Sequence, residues 1–365
     1  MIPQLDRLRG LAILLVLANH IGTIVPSALS VVLGQGWLGV DVFFVLSGFL
    51  ITGLLWDARA TTNYFVPFYG RRVLRIWPAY IVVLILAFCI LPLFRRTLGG
   101  AFLDVHQQSL GLWAFLLMIQ NFFATRLFLS PILVVTWSLA IEEQFYLVWP
   151  FVIRYASRAV ALPGLFAALL IFPVLRVMAI HRGIPQLAIH ANPLTHGDGL
   201  VCGAIIAIGL RSAKPKRRTL LVAGITLFAV GFGLFLLLRP HDLSTLYCSP
   251  LLYTDVALLS SGMLLVALVS ENAGHILHRF FFMNRTLAFL GFISYSLYLY
   301  HFFILRSAAR VALMASVDRW HHPRLTLCLM EAIAVSVSIL LAWLSRVTLE
   351  RAALSRKHLF RQGPS

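Results

Sequence analysis

Eleven apolar runs, most of them about 17 to 22 residues long, divide this chain, and about 20 residues of helix cross roughly 30 Å of hydrocarbon. The runs lie near 8–26, 37–56, 77–95, 108–124, 138–154, 160–180, 196–211, 219–238, 251–270, 287–305 and 325–346. Only 12% of the 365 residues are charged and 60% are hydrophobic. Soluble domains carry about 25% charged residues, so this chain has too little polar surface to coat a globule facing water. The expected fold is all-α, a polytopic membrane helix bundle. One membrane domain is expected over residues 1–350, with a short basic cytoplasmic tail over 351–365.

A net charge of +17 would point to nucleic acid in a soluble protein. Here the basic residues gather in short connections between apolar runs, as in Arg71, Arg72 and Arg75, or Lys214, Lys216, Arg217 and Arg218. That is the positive-inside bias of membrane proteins, and no polar domain remains for a nucleic-acid face. Cys89, Cys202, Cys248 and Cys328 lie far apart, in neither a disulfide framework nor a metal-ligand spacing. The first run lacks a small-residue cleavage site and is punctuated by Asp6, Arg9 and His20, so it reads as a span rather than a signal peptide.

The basic connections also test the number of crossings. With Arg7 and Arg9 inside, the 57–76 connection is inside, and so are the basic stretches at 154–158 and 211–218. An even number of crossings must then separate residues 76 and 154, yet three runs lie between. The 108–124 run, which is short and ends in Gln120 and Asn121, is taken as the one that does not span. The expectation is ten spans with both termini in the cytoplasm, in a multi-pass protein of the inner membrane. The arginines at 306–324 fit this count least well.

Ionisable side chains at membrane depth cost about 2.5–3.5 kcal/mol on insertion scales and therefore mark function or partnership. Arg9 and His20 are eleven residues apart, which places them on one helix face with about 16 Å between them. A neutral imidazole suits general-base chemistry; a packing histidine that hydrogen-bonds a neighbouring helix is the competing reading. In Gly39–Phe49, Ser47 and Gly48 permit close helix approach, while Asp41 needs a partner. Arg72 and Arg75 share a face at i, i+3 on an interfacial helix, ahead of Trp77 and Pro78, where the bilayer begins. Their forks suit phosphate; topology anchoring is the alternative. Within Trp137–Tyr146, Glu142 and Tyr146 share a face and Glu143 points about 100° away. At least one glutamate is expected to meet a cavity or an arginine. Ser294–His301 combines aromatic residues with a second histidine, His301, and His196 with Asp198 form a candidate hydrogen-bonded pair. Two histidines and one acid do not make a zinc site, and no metal is expected.

These segments, in this order, resemble the membrane-bound acyltransferase family 3, whose members acylate sugars, polysaccharides and other small molecules. The likeness rests on Leu5–Gly10 with His20 beyond it, Gly39–Thr52, Arg72 and Arg75 before Pro78, Trp137–Tyr146 and Ser294–His301. It covers nearly the whole chain, and the ten-span architecture usual in that family agrees with the parity count. The resemblance maps the family's arginine and histidine onto Arg9 and His20, its loop arginines onto Arg72 and Arg75, and its glutamate onto Glu142. One departure is visible: where the family often has arginine two positions before an aspartate, His196 precedes Asp198 here. Some relatives carry an added extracytoplasmic hydrolase-like domain; the chain is expected to work alone or with a separate partner.

The resemblance implies acyl transfer from a cytoplasmic acyl-CoA, acetyl-CoA first, to a hydroxyl on a sugar, glycan or secreted metabolite. Arg72, Arg75 and Arg9 would hold the donor's phosphates. His20 would take the hydroxyl proton, and Asp41 or Glu142 would orient or pair with a charged neighbour. Ser47, Glu143, Tyr146, Asp198 and His301 complete the candidates. A transporter or flippase using the same charges predicts inverted repeats and paired broken helices, which the sequence does not display. A non-catalytic scaffold leaves the membrane-depth charges unexplained.

Overall fold

A computed structural model describes residues 3–22, 30–94, 110–127, 132–238, 249–270, 283–314 and 323–360. All regular structure among them is helical. The long helices are α1 (Pro3–Gly22), α2 (Leu38–Ala58), α3 (Phe65–Ile85), α4 (Thr136–Tyr155) and α5 (Arg158–His181). They continue as α6 (Asp198–Ala213), α7 (Arg217–Leu238), α8 (Leu252–Val269), α9 (Arg285–Met314) and α10 (Pro323–Ser345).

Seven of these helices, α2, α3, α5 and α7 to α10, are long and apolar enough to cross a membrane, so the chain is a multi-pass membrane protein. The other three fall outside that group for visible reasons. α1 carries Asp6, Arg7 and Arg9, α4 carries Glu142, Glu143 and Gln144 at its centre, and α6 has only 16 residues. Helices α5 and α7 turn bare side chains such as Leu170 and Leu237 outward, 74% and 81% exposed. Surfaces so apolar suit hydrocarbon. α2 and α8 are enclosed by the others.

Two expectations about the second quarter of the chain meet different outcomes. Arg71–Ile76 and the 77–95 run are not two separate elements. They form one helix, α3, which starts at Phe65 and continues through a wider turn at Leu86–Ile90. Arg72 and Arg75 stand on a helix, as their spacing implies, although the resemblance maps them onto loop arginines. Backbone hydrogen bonding continues through polar residues whenever their side chains find a cavity or water, which a hydropathy run does not register. The 108–124 run, over its described residues, breaks into short pieces at Leu112–Leu116, Gln120–Phe123 and Ala124–Leu127. Gln144 ties these pieces to α4, donating to the Met118 carbonyl at 2.7 Å and to Asn121 Oδ1 at 2.8 Å.

Close helix approach brings the polar faces together. A Cβ on Gly10 of α1 would run into the Leu287 carbonyl of α9, and one on Gly291 of α9 into the Asp6 carbonyl. Gly48 of α2 meets Leu200 of α6 in the same way, and Gly203 of α6 meets Val45. Helices associate in lipid through such small-residue contacts, and here they place α1, α2, α6 and α9 backbone against backbone. Beyond α10 the chain does not trail away. It turns through Arg346–Glu350, Arg351–Leu354 and Ser355–Leu359, and packs against α3. Cys89, Cys202 and Cys328 are free thiols. Cys248, residues 23–26 of the first run, part of the 306–324 segment and residues 361–365 lie outside the described residues.

Candidate functional site

A cavity of about 330 Å³ opens where α1, α2, α3, α4 and α9 converge. Its polar wall is built from Arg9, Ser47, Arg72, Arg75, Glu142 and Tyr146, and its apolar wall includes Phe43, Phe44 and Leu139. Arg9 pairs with Asp6 one turn earlier, at 2.8 Å. Glu142 accepts from Ser47 Oγ at 3.0 Å and from Tyr146 OH at 2.8 Å, and the Arg72 guanidinium lies 5.7 Å from the Tyr146 ring centre. Among the described residues neither Arg72 nor Arg75 is hydrogen-bonded to a carboxylate. Three arginines stand against only two carboxyl groups, Asp6 and Glu142, so forked donors predominate on this wall of the cavity.

Six candidate residues thus meet at one place. His20 and His301 meet at another: His301 Nε2 lies 3.1 Å from His20 Nδ1. His301 Nδ1 faces the Leu297 carbonyl at 3.0 Å and so carries hydrogen, which makes its Nε2 the acceptor in the neutral ring. His20 Nδ1, facing Val16 O at 2.9 Å and His301 Nε2, is then the donor, and the lone pair of neutral His20 falls on Nε2. The pair is not part of the cavity wall. Tyr298 stands between: it lines the cavity, holds Ser138 at 2.6 Å, and its ring centre is 5.9 Å from that of His301.

A third group lies between α2, α5, α6 and α8. His196 and Asp198 were expected to pair, and they do not. His196 sits in the turn before α6 and reaches Asp41 of α2, Nε2 to Oδ1 at 3.1 Å, while its Nδ1 meets the His190 carbonyl at 2.7 Å. Nδ1 must carry hydrogen there, and two bare acceptors would repel at 3.1 Å, so one further proton lies between His196 and Asp41. Asp198 turns to Arg176 of α5, which grips it with both terminal nitrogens at 2.7 and 3.2 Å. Arg176 also donates to the Thr195 and Pro250 carbonyls and to Thr254. Arg176 supplies to Asp198 the guanidinium that His196 does not. Burial, with His196 alongside, pushes His190 well below the ordinary imidazole value. Asp255, 1% exposed nearby, has neither carboxyl oxygen hydrogen-bonded among the described residues. Glu143 is in none of the three groups, and its Oε1 is buried without a hydrogen-bond partner among the described residues.

Arg176 and Asp255 escaped the sequence reading. The signal was there, since each is an ionisable residue inside an apolar run. Tyr298 and Ser138 lie within the Ser294–His301 and Trp137–Tyr146 stretches, but neither was singled out there.

The family model of acyltransferase family 3, an acyltransferase domain, matches residues 2–345. The peptidoglycan O-acetyltransferase of Listeria monocytogenes is 29% identical over 339 residues, covering 87% of this chain and 52% of that protein. The putative peptidoglycan O-acetyltransferase of Bacillus subtilis is 29% identical, over 88% of this chain and 51% of its own length. An O-acetyltransferase of Staphylococcus aureus is 28% identical, over 82% and 50%. The chain therefore spans about half the length of the curated relatives it matches. No solved structure matches it. With nearly its whole length matched, the chain belongs to acyltransferase family 3.

Proposed function

We propose that this chain is an integral membrane O-acyltransferase that moves an acyl group, acetyl first, from a cytoplasmic acyl-CoA to a hydroxyl of a cell-envelope carbohydrate. The observation that carries this reading is the convergence of Arg9, Arg72 and Arg75 on one cavity, with His20 about 16 Å further along the helix that carries Arg9. An anionic donor with a long neutral arm fits that spacing. Its phosphates would meet the arginine forks while its thioester reaches toward the histidine pair. The relatives' names supply the carbohydrate class of the acceptor. We also propose ten spans, the seven apolar helices with α1, α4 and α6, and both ends in the cytoplasm of the inner membrane.

In this mechanism His20 Nε2 takes the proton of the acceptor hydroxyl. The oxygen attacks the thioester carbon, the new C–O bond forms as the C–S bond breaks, and His20 returns its proton to the departing thiolate. His301 holds the His20 ring in that tautomer. Glu142, fixed by Ser47 and Tyr146, offsets the arginine charge without sealing the forks. Asp41, with His196, holds α2 in register beside the site.

Membranes holding the protein are expected to pass label from acetyl-CoA to glycan hydroxyls with release of free CoA. His20→Ala should lower the rate by about 10²–10⁴-fold, the usual worth of a general base. Full transfer by that variant sinks the catalytic assignment. Passage of glycan across the membrane with no ester formed supports the transporter reading instead.

A further inference from the structure

The segment beyond residue 345, where the family match ends, is folded onto the arginine-bearing end of α3. Its root is pinned by Glu350, 3% exposed, which accepts from Ser296 of α9 and pairs with Arg346 at 3.1 Å. Its far end is held at α3: Arg71 Nε donates to the Phe360 carbonyl at 3.0 Å, and the Phe360 ring lies on Gly70, where any Cβ would strike it. Gly70 and Arg71 belong to the same helical turn as Arg72, and Arg75 follows one turn later. This part of α3 is also hydrogen-bonded to α4 and α9, through Tyr69 OH to the Leu147 carbonyl at 2.8 Å and Tyr295 OH to the Ile76 carbonyl at 2.7 Å.

Arg71 thus serves the segment and is not part of the cavity wall, while Arg72 and Arg75 line it. We propose that residues 346–360 form a strap that positions the Arg72/Arg75 turn, with Phe360 on Gly70 as its buckle, so that the strap sets affinity for the anionic donor. The proposal rests on the donor reading of those arginines. A packed element moves as a body, so lifting the ring from Gly70 loosens the turn that aims both forks.

The test is donor KM against kcat in purified protein, with folded fraction followed by melting in detergent. Phe360→Ala should raise KM for acetyl-CoA about 5- to 20-fold, with kcat and acceptor KM within about twofold, the size of effects carried through packed elements. Gly70→Ala should do the same from the other side, because its methyl displaces the ring. The double variant should be no worse than Phe360→Ala alone, since an alanine at 360 leaves room for that methyl. Phe360→Leu should restore most of the affinity. A merely structural tail would lower the folded fraction and leave KM unchanged. Unchanged KM in both single variants, with Arg72→Ala raising it, overturns the strap alone. Unchanged KM in Arg72→Ala as well overturns the donor reading and the strap with it.

Discussion

The arginine-walled cavity and the Arg176–Asp198 group use the same residue types to opposite ends. At Arg176 the donors have protein acceptors on every side, and the pair is 1% and 0% exposed. At Arg72 and Arg75 no carboxylate closes the forks, and a cavity lies in front of them. A buried charge left uncompensated is costly, so the first arrangement is a finished structure, while the second leaves its forks open for the proposed anionic donor. The difference lies in whether the chain itself supplies the last hydrogen bonds.

The largest effect expected from breaking this contrast is on stability at the closed group. Arg176→Ala strands Asp198 and Thr254, and should cost about 3–5 kcal/mol, as loss of one partner from a buried pair does. The melt in detergent reads it directly. Arg176→Lys should recover little, because a point charge does not match a two-pronged grip. If Arg176→Ala melted like the parent protein, the group would not be the lock that its geometry describes.

At the open group the effect should move from stability to binding. Arg72→Ala with Arg75→Ala should leave the melt within about 1 kcal/mol and weaken the donor by about 1.5–3 kcal/mol for each charge-assisted bond lost. Titration with acetyl-CoA separates the two readouts. Tyr146→Phe removes one hydrogen bond to Glu142 and should cost about 0.5–1.5 kcal/mol in donor affinity, read by the same titration. A large melting loss in the double arginine variant would mean that these forks already have partners.

How far the sequence revealed the site follows from the same physics. Arg9, Arg72, Arg75, Glu142 and Tyr146 were legible because charge at membrane depth is conspicuous, and the cavity gathers them. The start of α3 was not legible, since a hydropathy run ends at Arg75 while the backbone ladder continues through it. Of the three helices outside the apolar group, α1 and α4 are there partly because they carry cavity residues, Asp6 and Arg9 on α1 and Glu142 on α4. The His196–Asp198 pairing failed because each side chain found its partner on another helix. Asp198 opens α6, His196 precedes it, and their side chains diverge to α5 and α2. Partners on other helices, such as Arg176, leave no trace in local spacing.

Asp255 gives the smallest and sharpest test. It lies beside the closed group, yet neither oxygen has a hydrogen-bond partner among the described residues. If the rule is that a stranded partner makes removal costly, then a carboxyl that strands nothing should be cheap to replace. Asp255→Asn keeps the shape and should shift the melt by no more than about 1 kcal/mol, against the several kcal/mol expected for Arg176→Ala. A loss of about 3 kcal/mol or more in Asp255→Asn would show that Asp255 holds an ionic partner. The closed group would then extend from Asp198 through Asp255 along α8.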